Sequence, residues 1–114
     1  MFINNEMMVT IMDRELITWD IYEIGADSVP LNGVMLRGRI RKFCIENKRN
    51  VLVENTQDVE NSVRFAIPSG EDPTSVKDYI IKILPEAKVV LVREDVLNPV
   101  LSKLKVNIED RYKL

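Results

Sequence analysis

Histidine is absent from this 114-residue chain, and Cys44 is its single cysteine. A zinc site of the usual His/Cys kind cannot be assembled from one such residue. Histidine acid–base chemistry and a Ser-His-Asp triad are excluded outright. One cysteine also rules out a disulfide framework within the chain, so nothing points to an oxidising compartment. A basic excess is lacking too: 16 Lys and Arg stand against 18 Asp and Glu, for a formal net charge of -2. With no surplus charge to neutralise phosphates broadly, general binding to nucleic acid or to an anionic membrane is disfavoured. No run approaches the roughly 18 apolar residues of a membrane span. The opening stretch MFINNEMMVTIMDRE has neither the basic n-region nor the continuous apolar core of a signal peptide. The expectation is a cytoplasmic protein. No repeat, low-complexity segment or Gly/Ser-rich linker divides the chain.

What is present suits one domain with a modest core: 46% hydrophobic and 30% charged residues. Residues 1–14 read as a weakly patterned N-terminal extension, and 15–114 as the domain. Over Glu15 to Ile24, LITWDIYEI is β-branched and aromatic with rough alternation, which predicts a strand. GADSVPLNG then carries Gly, Asp, Ser, Pro and Asn, and reads as a loop. From Val34 to Arg49 the spacing becomes helical. Leu36, Ile40, Phe43 and Cys44 form an apolar stripe, and Arg39, Arg41, Lys42, Lys48 and Arg49 occupy the other side. NVLVEN predicts a short strand, QDVEN a turn, and SVRFAIP a strand with Val63, Phe65 and Ile67 on one face.

A second helix follows, with Asp72 as cap and Pro73 at its first position. Its stripe is Val76, Tyr79, Ile80, Ile83 and Leu84, and Pro85 closes it. AKVVLV predicts a strand, and Lys103 to Ile108 alternates as an edge strand with one buried face does. The order is β-α-β-β-α-β plus one C-terminal strand. It predicts an α+β, ferredoxin-like split β-α-β sandwich, with two helices on one face of an antiparallel sheet.

The stretch Gly33-Val34-Met35-Leu36-Arg37 opens the first helix, and Val53-Glu54-Asn55 ends the next strand, with Arg37 and Asn55 18 positions apart. In this it resembles the acylphosphatase family, whose phosphate loop ends in Gly-Val-x-Phe-Arg and whose next strand ends in Val-x-Asn. The resemblance runs from about Leu16 to Ile108. It implies a small hydrolase of carboxyl–phosphate anhydrides that needs neither metal nor cofactor. By resemblance, Arg37 binds the phosphate, Asn55 positions the attacking water, and backbone N–H groups of Asn32, Gly33, Val34 and Met35 complete the cradle. The implied partner is a small acyl phosphate or another anion. Physical chemistry is compatible with these roles. A helix N-terminus favours anions, arginine offers a planar fork to phosphate oxygens, and an amide orients water without changing charge.

The sequence also departs from the family pattern. Gly25 to Gly33 is several residues longer than the family loop, Pro30 lacks an N–H, Asp27 is negative, and Leu36 stands where the family has Phe. The second expectation is therefore an inactive acylphosphatase-like module that binds an anion or a protein partner, homodimerisation included. Blander readings stand beside these. Arg37 is also a plausible exposed helix arginine, and Asn55 a strand-ending turn former. Cys44, on the apolar stripe, reads as a small core residue. Trp19 and Tyr22 fall on opposite strand faces. The basic side of the first helix reads as a solvated face. An RNA-binding sheet needs clustered aromatics where Arg64-Phe65-Ala66 supplies one, so Phe65 is read as core.

Overall fold

The computed structural model describes residues 17–31 and 34–103. Four strands and two helices follow in the order β1 (Thr18–Gly25), α1 (Leu36–Glu46), β2 (Leu52–Asn55), β3 (Ser62–Pro68), α2 (Thr74–Ile83) and β4 (Lys88–Leu97). The strands lie in the order β2-β3-β1-β4, and every neighbouring pair is antiparallel. The result is an α+β fold compatible with a ferredoxin-like sandwich.

Period-two alternation decides which side chains meet the helices. From β1, Tyr22 and Ile24 join Val53 of β2 and Val63, Phe65 and Ile67 of β3 in one core. Leu36, Ile40 and Cys44 of α1 and Val76 and Ile80 of α2 close that core from above, each fully buried. Tyr22 and Phe65 face each other across the β1–β3 register, and their rings stack at 5.0 Å. Phe43 and Tyr79 stack at 4.4 Å between the helices. All seven residues of β3 are buried. A central strand carrying apolar residues at both parities is covered on both faces, and here the second cover is Leu101, packed with Ile21 and Ala66. Trp19 packs on that second side and Tyr22 on the first, as their opposite parities predict.

The first helix is shorter than the predicted span from Val34 to Arg49. Val34 and Met35 form a turn, with Met35 in the left-handed region at φ 56°, so α1 begins at Leu36. Its other end is set by Asn47, whose backbone and side-chain nitrogens both donate to the Phe43 carbonyl, and by left-handed Lys48. The expected cap is shifted by one residue: α2 begins at Thr74 with Pro73 at the cap position, and Asp72 before it accepts from the Thr74 N–H at 2.9 Å and the Thr74 hydroxyl at 2.6 Å. Those bonds hold the Asp72 carboxyl below the usual aspartate range.

Strand β4 runs past the predicted AKVVLV to Leu97, through the charged Arg93-Glu94-Asp95. Its register against β1 shifts twice, and Asp95 takes a positive φ of 55°, so the strand continues through a bulge that alternation does not reveal. Residues 1–14 lie outside the described residues, as does the expected last strand beyond Lys103.

Candidate functional site

Strand β2 is the edge of the sheet and α1 packs on it, which sets the two residues singled out by the family resemblance on one hollow. Val53 points into the core, so Asn55, two residues on, takes the same helix-facing side. It is paired with Val63 of β3 and is half-buried. Across from it, α1 starts at Leu36, which is fully buried, and the next residue, Arg37, is exposed. Arg37 and Asn55 line one hollow of about 290 Å³ at the start of α1, together with Leu31, Met35, Gly38 and Arg41. The start of a helix presents N–H groups with no partner one turn earlier, and the positive end of the helix dipole; in α1 the Leu36 N–H already donates to the Leu31 carbonyl at 3.3 Å. No acidic residue occupies the first turn of α1 to offset that field.

The residues expected to form a backbone cradle fall in different places. Met35 lines the hollow, whereas Val34 is half-buried and packs against the core. Asn32 and Gly33 lie outside the described residues. Asp27 belongs to a different place. With Ser28, Pro30 and Glu60 it lines a separate hollow of about 510 Å³, so its carboxylate is not part of the lining around Arg37.

The loop between β1 and α1 is held by a residue that the sequence pattern passes over. Asn61, at the turn before β3, donates from Nδ2 to the carbonyls of Ala26 at 2.8 Å and Val29 at 2.9 Å. Its Oδ1 accepts from the Leu31 N–H at 2.8 Å. One amide therefore satisfies three backbone groups of a loop some 30 positions away. Ser28 donates to Glu86 at 2.7 Å and ties the same loop to the turn before β4. A positive φ of 49° at position 61 suits Asn, and that local preference is the only trace of this role in the sequence.

Two arginines predicted to be solvated or undistinguished are engaged elsewhere. Arg49 does not belong to a solvated face. It donates to the Ser75 hydroxyl, to the Asp72 carbonyl at 2.7 Å and to Glu71, joining the end of α1 to the start of α2. Arg64, on the second face of the sheet, is 2% exposed. It forks onto Glu23 at 2.8 and 2.9 Å, meets Asp58 at 2.7 Å, and donates to the Leu101 carbonyl at 2.9 Å. Cys44 is fully buried, and burial pushes its thiol up, against the smaller pull of Arg49. It behaves as a core residue rather than a nucleophile.

Among the described residues no group of three His, Cys, Asp or Glu side chains is placed to hold a metal ion, and no helix is long and apolar enough to cross a membrane. Compared with known proteins, the chain matches no family model, no curated protein and no solved structure.

Proposed function

We propose that this chain is an acylphosphatase-like domain of ferredoxin-like topology, and that the Arg37–Asn55 hollow hydrolyses a carboxyl–phosphate anhydride. The observation that carries the reading is the convergence of Arg37 and Asn55 on one hollow at a helix start. The motif spacing supports it independently.

In this reading the phosphoryl group sits between the Arg37 guanidinium and the N–H groups at the start of α1. The arginine fork takes two phosphate oxygens and offsets their charge. Asn55 holds a water in line with phosphorus, opposite the carboxyl oxygen that leaves. The water oxygen forms the new P–O bond, and the bond from phosphorus to the acyl oxygen breaks. Its electron pair departs with the carboxylate, and both water protons remain on the phosphate product. A carboxylate leaves as a stable anion without being protonated, so the step calls for no general acid, and a chain without histidine can perform it.

The alternative is an anion-binding module without turnover, favoured by the length of the loop after β1 and by its attachment to Asn61. Incubating the purified chain with acetyl phosphate, beside Arg37→Ala and Asn55→Ala, separates the two. The enzyme reading expects hydrolysis that both substitutions reduce by about 10² or more. Wild-type protein no faster than buffer ends that reading. Equal activity in all three proteins ends the residue assignment.

A further inference from the structure

Arg37 does not stand alone in its hollow. Arg41 lies one helical turn further along α1 and lines the same space. Residues four apart on a helix are neighbours, with Cβ atoms about 5–6 Å apart, and two like charges in that relation repel. The usual relief is an acidic partner, and among the described residues neither arginine has one. The ion pairs among the described residues join Arg49 to Glu71 and Arg64 to Glu23 and Asp58. Glu54, the carboxylate nearest in sequence to Asn55, stands opposite Arg64 in the sheet register and lines a neighbouring hollow with Arg41, Pro99 and Leu101. The first hollow therefore gathers two guanidinium groups and an amide, and among the described residues no carboxylate is part of its lining.

We propose that Arg41 is a second anion ligand of this site, so that the ligand is an acyl phosphate whose acyl part carries a further carboxylate: a mixed anhydride of phosphate with a dicarboxylic acid. The inference rests on the reading of the Arg37–Asn55 hollow given above. Arg37 takes the phosphoryl group beside Asn55. Arg41, one turn on, meets the second carboxylate at a spacing that a two- or three-carbon acyl chain bridges. Its role is selection among acyl phosphates, and it takes no part in the displacement at phosphorus.

Two unreactive probes separate the contributions: ethylphosphonate, and 3-phosphonopropionate, which is the same molecule with an added carboxylate. Calorimetric titration of the full chain is expected to show 3-phosphonopropionate binding about tenfold more tightly, as one charge-assisted pair contributes. Arg41→Gln removes that advantage and leaves ethylphosphonate affinity within about twofold, while Arg37→Ala weakens both probes. Arg39→Gln, which deletes the same charge from the exposed side of α1, leaves the ratio unchanged. Equal affinity of wild type for the two probes overturns the role of Arg41 and leaves the reading of the hollow standing. A loss in Arg39→Gln equal to that in Arg41→Gln overturns it as well, because the effect is then the general field of the helix. No binding of either probe overturns both the hollow and Arg41.

Discussion

Arg64 and Arg37 sit on opposite sides of the same sheet and receive opposite treatment. Arg64 is enclosed by Glu23, Asp58 and the Leu101 carbonyl, so its counter-charge is built into the chain. Arg37 is exposed at the start of a helix, in a hollow whose described lining holds Asn55 and a second arginine but no carboxylate. A buried guanidinium left without partners is costly, so the fold has to supply them. An exposed one at a helix start can wait for an anion from solution. The comparison divides arginines that hold the fold from arginines available to a ligand, and each side can be broken separately.

The largest effect is expected on the second face. Arg64→Ala leaves two carboxylates facing each other over a buried carbonyl, and should destabilise the domain by about 3–5 kcal/mol in chemical denaturation. Arg64→Lys keeps the charge but loses the fork onto Glu23, and should recover part of that loss. Arg37→Ala should behave in the reverse sense. Its stability should stay within about 0.5 kcal/mol of wild type, while affinity for inorganic phosphate falls by about tenfold to a hundredfold. An Arg37 variant that unfolds easily, or an Arg64 variant that melts like wild type, would erase the distinction.

Asn61 stands between these cases, since it is a structural residue attached to the site. Asn61→Ala strands the Leu31 N–H and the Ala26 and Val29 carbonyls, and should cost about 1–2 kcal/mol. It should also weaken phosphate binding, while Asn61→Asp, which retains the acceptor for Leu31, should weaken it less. Unchanged binding in Asn61→Ala would separate the loop from the hollow.

The smallest effect is expected at Asp72, just before α2. Its carboxyl is held below the ordinary value of about 3.9 by the Thr74 bonds. The contribution of a depressed acid is complete above that ordinary value and is lost as pH falls through the lower folded one. Thermal melts between about pH 5 and pH 2.5 should show an acid-side decline in wild type that is shallower in Asp72→Ala.

What could be read from the sequence follows the range of the interactions involved. SVRFAIP is a strand over its predicted residues, the α2 stripe is where local periodicity places it, and the cap position falls within one residue of the predicted one. The resemblance to the acylphosphatase motifs paired Arg37 with Asn55, and the fold sets both on one hollow, because a helix start and a strand end are both defined locally. The roles of Arg64, Arg49 and Asn61 were not visible. Each depends on partners across the fold, 41 positions away for Glu23, 26 for Ser75 and 30 for Leu31. The true length of β4 was hidden by a bulge that reverses the alternation a sequence reader relies on.

The central claim, that an anion seats between Arg37 and Asn55, is tested most directly by titrating inorganic phosphate into ¹⁵N-labelled protein. Saturable shifts should appear at the backbone amides of residues 35–38 and at the Asn55 side-chain amide, and should vanish in Arg37→Ala. Shifts spread over every basic residue, or confined to the region around Arg49, would contradict it.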